Sequence, residues 1–137
     1  MFATARTVTL SGATGHVVDV QVDVSQGTPN TSVVGRPDSA INESKARCRA
    51  AVDNSDRAWP TTRRVTILLS PADLPKRGPH FDLAIAIGVI AASDDKFPKD
   101  VLDRTVLLAE LSLDGRVRCV AGLLPMVMAA ASRGSGP

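Results

Sequence analysis

The chain has 137 residues, 44% hydrophobic and 22% charged, a composition typical of one globular domain with a single core. Sixteen basic residues nearly balance fourteen acidic ones, so charge alone does not indicate a nucleic-acid-binding protein. Aromatic residues make up 3% of the chain, which argues against a stacking platform for single-stranded nucleic acid.

The sequence carries no pattern that indicates a membrane or secreted protein. Its longest apolar run, around residues 83–92, is shorter than the roughly 20 residues that span a bilayer. The first residues lack a signal-peptide core, and Cys48 and Cys119 show neither metal spacing nor a disulfide framework. We therefore expect a cytoplasmic protein with no membrane partner.

Three strands are predicted in the first part of the chain. Four valines alternate with polar residues over residues 16–24, which predicts a half-buried strand. Shorter β-rich runs cover residues 7–10 and 32–35, and the glycine-containing segment 11–15 suits a hairpin connection.

The middle of the chain predicts two helices around a strand. Pro37 begins a helix over residues 37–55, with Asp38 in its first turn. Residues 64–69 are nearly all apolar and predict a central strand covered on both faces. Residues 81–92 are apolar nearly all round, so we expect a helix buried between other elements.

The last part of the chain predicts a hairpin and a helix. Residues 105–113 and 116–120 flank Asp114-Gly115, which favours a type I′ turn. A helix over residues 123–132 follows, with Gly134 as its C-cap, and residues 135–137 are interpreted as a linker or the end of an expressed fragment. The order βββαβαββα predicts an α+β sandwich with a mixed sheet and about three helices.

The segment SPADLPKRGPHFD, residues 70–82, is the most informative part of the sequence. Lys76 and Arg77 precede the N-terminus of the buried helix, where free backbone N–H groups can hold an anion. The alternative, which we favour, is a stiff crossover in which Asp82 caps the helix and the basic pair is solvated. His80 is expected to be exposed or capping, since no hydroxyl or thiol beside it is available for activation.

A second basic region lies on the helix over residues 37–55, which carries Lys45, Arg47 and Arg49. Further arginines lie nearby at positions 36, 57, 63 and 64. We favour a solvated face that acidic neighbours partly neutralise; the alternative is a weak surface that contacts phosphates or another subunit.

No cofactor site is predicted within this domain. The sequence contains no GxxxxGK[ST] motif, and the glycines of GATG do not form a dinucleotide fingerprint. His16 and His80 have no cysteine or carboxylate at metal-ligand spacing, and Cys48 fits a buried helix face.

Three segments together resemble a known family: VDVSQGTPNTSVVGRPDSAINESKARCRAAVDNS, RRVTILLSPADLPKRGPHFDLAIAIGVIAAS and LLAELSLDGRVRCVAGLLPMVMAAASRG. They resemble the N-terminal domain of the magnesium-chelatase-like ComM/YifB family of bacterial AAA+ ATPases. The resemblance covers residues 1–134, and it departs from the family pattern at Ala109, where glycine is usual, and at Arg36, where leucine is usual. It implies a hexameric motor for DNA branch migration in natural transformation.

The same segments resemble the proteolytic domain of Lon, which implies the ribosomal S5 domain 2-like fold. The serine of the Lon Ser-Lys dyad corresponds to His80, and its lysine corresponds to Leu124. Because leucine cannot act as a general base, the resemblance implies that this domain is no peptidase.

We therefore predict that residues 1–134 are a non-catalytic accessory domain of a larger AAA+ ATPase. Its own ATPase domain, which would bind ATP and magnesium, is the expected partner, within a homo-hexamer, and DNA contact by this domain is expected to be weak. The alternatives are a degenerate Lon-like hydrolase and a subunit of an ATP-dependent magnesium chelatase.

Overall fold

The computed structural model describes residues 1–132, which form a four-stranded mixed sheet packed with helices, beside a small two-stranded sheet. The strands are β1 (Phe2–Ser11), β2 (Thr14–Ser25), β3 (Asn30–Val34), β4 (Arg64–Ser70), β5 (Glu110–Leu111) and β6 (Val117–Arg118). The helices are α1 (Ser39–Asp53), α2 (Asp82–Ser93), α3 (Lys99–Leu102) and α4 (Leu123–Ser132). The predicted α+β class and mixed sheet are confirmed, and the short helix α3 is an addition that the sequence did not predict.

The β1–β2 hairpin forms one side of the main sheet. Its strands are antiparallel, which confirms the hairpin, but they join through only the two residues between Ser11 and Thr14, whereas residues 11–15 were predicted as the connection. The alternating valines of β2 are buried in the core. β1 begins at Phe2, whereas the sequence predicted a start at residue 7. The prediction missed the first part of the strand because its buried residues there, Ala3 and Ala5, carry no strong strand signal.

β4 lies in the middle of the sheet, between antiparallel β2 and parallel β3, in the order β1-β2-β4-β3. Its buried face, Val65, Ile67 and Leu69, belongs to the core that α1 and α2 cover. Thr66 and Leu68 on the other face are half-buried, because α4 packs over β1 and β2 instead. The expectation that both faces of β4 are covered was therefore wrong.

α1 and α2 pack against each other over this core. α1 begins after Asp38, whose side chain caps the helix by accepting a hydrogen bond from the Ile41 N–H at 2.9 Å. Pro37 thus precedes the cap and is not the first helical residue. α2 follows a 3₁₀ turn over Pro79–Phe81. Most of its residues are buried, as the prediction of a buried helix required, and its outer face is half-buried.

The hairpin around Asp114-Gly115 is confirmed, but its strands are two residues long and its turn is not type I′. A type I′ turn needs positive φ at both central residues, whereas only Gly115 of the pair has it, at 92°. The Gly115 N–H donates to Ser112 O at 2.9 Å, and the Ser112 N–H donates to Arg116 O at 3.0 Å. This is a three-residue loop with a glycine bulge.

The segment before this hairpin, predicted as a strand from residue 105, touches β1 instead. It makes one bridge, between Val106 and Arg6, and its Leu107 N–H donates to Arg6 O at 2.8 Å. The predicted C-cap Gly134 and the predicted linker lie outside the described residues.

Candidate functional site

His80 is buried at the point where the loop after β4 joins α2, and it is 3% exposed. Its Nε2 lies 2.5 Å from Val8 O, and since a carbonyl only accepts, Nε2 carries the proton. The backbone carbonyl of His80 accepts from the Ala109 N–H at 3.2 Å. Burial lowers the pKa of the imidazole. His80 therefore ties the loop to β1, and the expectation of an exposed or capping histidine was wrong.

Leu124, which the resemblance to Lon places at the lysine position of the dyad, lies on α4 and is 69% exposed. A cleft of about 460 Å³ separates the loop from this part of the chain, and His80, Arg77, Glu110, Cys119 and Met126 are among its lining residues. Leu124 is not part of that lining. His80 thus holds an imidazole bound to a carbonyl, and Leu124 holds an alkyl side chain exposed to solvent.

The role of Asp82 also differs from the predicted helix cap. Its carboxylate is fully buried and accepts hydrogen bonds from Ser44 Oγ at 2.5 Å and from the Leu111 N–H at 3.1 Å. Arg47 donates to it from Nε at 2.8 Å and from Nη2 at 3.1 Å. Asp82 therefore does not cap its own helix; it joins α2 to α1 and β5.

A sequence signal for this cluster did exist. A carboxylate inside a strongly apolar helix needs a charged partner, because an unpaired buried charge is costly. Ser44 and Arg47 lie three residues apart, at the edge of the buried face of α1. The missing information was the packing of α1 against α2, which brings residues 35 positions apart together.

The interpretation of a solvated face assumed that Arg47 is a free surface cation, and for this residue it was wrong. Besides Asp82 it contacts Ala40 O at 2.9 Å and Glu43 at 3.4 Å. Its hydrogen bonds to Asp82 raise the pKa of the guanidinium. The charge of Arg47 is used within the fold.

Lys76 is buried, whereas the favoured interpretation of the loop expected Lys76 and Arg77 to be solvated. Its Nζ donates to Gly35 O at 2.7 Å and to Pro71 O. Burial lowers the pKa of its ammonium group. The side chain holds the loop against the end of β3.

The other predicted basic residues are more accessible. Arg77 and Arg49 are exposed and Lys45 is half-buried, and within residues 1–132 none of the three forms an ion pair. The Arg77 N–H donates to Thr9 Oγ1 at 3.0 Å, so its backbone is fixed while its guanidinium faces solvent. The five predicted residues therefore divide into two structural cations and three surface cations.

The sequence matches the family described as "Subunit ChlI of Mg-chelatase" over residues 20–136. The chain belongs to this ChlI family. An uncharacterized protein of Mycobacterium tuberculosis H37Rv is 48% identical over 126 residues, which cover 92% of this chain and 25% of the relative. The predicted magnesium-chelatase-like resemblance is thus confirmed.

Two further relatives of this ChlI-family chain carry the names that the resemblance implied. The competence protein ComM of Haemophilus influenzae is 40% identical over 119 residues, 87% of this chain and 23% of the relative. The YifB protein of Escherichia coli is 39% identical over 113 residues, 82% and 22% of the two chains. The chain therefore spans about a quarter of the length of the curated relatives it matches.

The cysteines and histidines of this ChlI-family chain do not assemble into a metal site within the described part. Cys48 is buried, with its Sγ 3.2 Å from Asp82 O, and burial raises the pKa of its thiol. Cys119 is exposed at the cleft beside His80. Among residues 1–132, no helix has the length and apolar character needed to cross a membrane.

Proposed function

We propose that residues 1–134 are a non-catalytic accessory domain of a larger magnesium-chelatase-like AAA+ ATPase. Membership of the ChlI family supports this, together with the fourfold greater length of the relatives. The sequence contains no P-loop motif, so ATP and magnesium would bind to an ATPase domain beyond it. That domain is the proposed partner, and the ATPase ring would hold the proposed homo-hexamer together.

The arrangement of the two dyad positions carries the non-catalytic part of the proposal. A nucleophile must be activated by a nearby base, and here the serine position holds no hydroxyl or thiol nucleophile and the lysine position holds no base. The Nε2–H of His80 is bound to Val8 O, and Leu124 can neither donate nor accept a proton. Without a hydroxyl or thiol at this point of the loop, no acyl-enzyme can form by the Lon mechanism.

We propose that the longer protein is cytoplasmic and works on DNA in recombination or natural transformation, as a branch-migration motor. The support is the relative named as a competence protein, 40% identical to this chain. Within such a motor, this domain would contact the ATPase domain, and its surface cations Arg49, Lys45 and Arg77 would make at most weak contacts with DNA phosphates.

The test is ATP hydrolysis and branch migration by the full-length protein on a four-way DNA junction. We expect hydrolysis stimulated by branched DNA, and reduced branch migration when residues 1–134 are removed. A longer protein that lacks a Walker A motif and does not hydrolyse ATP would refute the proposal.

The family description itself favours a second candidate, a subunit of an ATP-dependent magnesium chelatase. Magnesium insertion into a porphyrin by the full-length protein, in the absence of any response to DNA, would support it. The remaining alternative, a degenerate hydrolase, predicts peptide hydrolysis by the purified 137-residue chain that is lost in His80→Ala.

A further inference from the structure

Three cationic residues line one small cleft at the start of α1. The cleft has a volume of about 390 Å³ and is lined by Arg36, Pro37, Asp38, Pro75, Lys76 and Arg77. The two segments are held together by their backbones: the Lys76 N–H donates to Arg36 O at 3.0 Å and the Asp38 N–H donates to Lys76 O at 3.1 Å. The bridge between Pro37 and Lys76 thus fixes the spacing of the cations on either side.

Lys76 is a buried charge whose near partners are neutral. Its residue is fully buried, and its ammonium group donates to Gly35 O and Pro71 O. Within residues 1–132 no carboxylate lies within ion-pair distance of it. Carbonyl oxygens satisfy N–H groups but leave the net charge in place, and an uncompensated buried charge is destabilising.

The two arginines line the same cleft as this lysine and are both exposed. Arg36 has a positive φ of 60°, an unusual conformation for a residue other than glycine, and its Nη1 donates to Asp73 O at 2.6 Å. That carbonyl occupies one of the five N–H groups of the guanidinium. Neither Arg36 nor Arg77 forms an ion pair in the described part of the chain.

The acidic groups near the cleft do not cancel these charges. Asp38 is the single carboxylate in the lining, and both of its oxygens accept backbone hydrogen bonds, from the Ile41 N–H at 2.9 Å and the Gly78 N–H at 3.1 Å. Asp73 is exposed and outside the lining, although its carboxylate acts on the charge of Lys76. Three cations therefore face one carboxylate that is already engaged.

We propose that this cleft binds a phosphate group. Arg36 and Arg77 would donate to its oxygens, since guanidinium groups match phosphate geometry, and Lys76 would supply positive charge from beneath. The inference deepens the weak phosphate contact already proposed for Arg77, but it requires neither an ATPase domain nor a hexamer. The group could belong to free phosphate or to a phosphodiester of DNA, which the same experiment separates.

The experiment titrates the 137-residue chain at low salt with inorganic phosphate and, separately, with a single-stranded oligonucleotide, and records amide ¹H–¹⁵N shifts. We expect saturable shifts centred on Gly78 and on the residues beside Arg36. Arg77→Gln should weaken binding about tenfold, because it removes a hydrogen bond to a charged group. Lys96→Gln is the matched control: it makes the same charge change beyond the far end of α2, and it should leave binding unchanged.

Arg77→Gln is the deciding variant, since within residues 1–132 the Arg77 side chain makes no hydrogen bond or ion pair whose loss would unfold the chain. Arg36→Gln should give a similar loss, and the double variant a larger one. Binding of both probes assigns the site to the phosphate group in general, whereas binding of the oligonucleotide alone assigns it to phosphodiesters. Saturable binding of neither probe, or an equal loss in Lys96→Gln, overturns the proposal and leaves the ATPase test untouched.

Discussion

Replacement of Arg47 by methionine tests whether the cluster around Asp82 stabilises the packing of α1 against α2. Methionine has a similar length and no donor, so Arg47→Met leaves the fully buried carboxylate of Asp82 without its cation. Removal of one partner from a buried ion pair typically costs about 3–5 kcal/mol. Because the Arg47 side chain is itself 20% exposed, water can partly replace it. We therefore expect a loss near the lower limit, about 3 kcal/mol.

The assay is urea unfolding followed by the fluorescence of Trp59, the single tryptophan of the chain, which is buried in the same core. With a slope of about 2 kcal/mol per molar urea, a loss of about 3 kcal/mol lowers the midpoint by about 1.5 M. Arg49→Met is the control, since it makes the same exchange on an exposed position of α1 and should stay within about 0.5 kcal/mol of the parent chain.

A double-mutant cycle separates the ion pair from simple packing. Asp82→Asn removes the charge and keeps an oxygen that can accept from Leu111 N–H, so Arg47→Met should cost less in its presence, by at least about 0.5 kcal/mol. The reasoning is refuted if Arg47→Met unfolds at the same urea concentration as Arg49→Met, or if the two changes at Asp82 and Arg47 are additive.

Three further outcomes are expected. Gly35→Ala should lower the free energy of unfolding, measured in urea, by on the order of 3 kcal/mol, because φ of Gly35 is 106° and the new Cβ would lie 2.2 Å from a carbonyl oxygen of β4. Gly12→Ala is the control: φ of Gly12 is 63° and the space around it is open, so the loss should be about 1 kcal/mol. Because burial lowers the pKa of His80, the unfolded state takes up the imidazole proton at a higher pH than the folded state does. The free energy of unfolding should therefore fall as the pH drops below about 6.5, until the folded-state pKa is passed. His80→Gln should flatten this dependence of stability on pH, and an unchanged dependence would contradict the expectation. A thiol reagent should modify exposed Cys119 in the native chain and spare buried Cys48, so native reaction should vanish in Cys119→Ser and persist in Cys48→Ala.

Local residue patterns, such as the alternation of apolar and polar side chains in a strand, predicted most of the fold. The alternating valines of β2 identify its buried face whatever the strand packs against, because side chains in a strand point to opposite faces in turn. The hairpin at Asp114-Gly115 was predictable for the same local reason, since glycine permits the positive φ that the loop requires. The type of turn was not, because the bulge depends on the pairing of Ser112 with Arg116 across it.

Elements whose stability comes from their neighbours were predicted poorly. The first half of β1 presents alanines to the core, and only its pairing with β2 makes it a strand. The helix α3 is a single turn of four residues, too short to carry a periodic signal. The covering of the sheet was likewise misjudged at β4, since the position of α4 follows from tertiary packing alone.

By itself, the sequence determined the class of the fold and the family, because these depend on residue identity and local period. Only the tertiary structure decided what the charged residues do. Arg47 and Lys76 look like surface cations along the chain, yet one pairs with Asp82 on another helix and the other lies beneath the end of β3. A charge is exposed or buried according to what packs over it, and its neighbours here are 35 and 41 residues away.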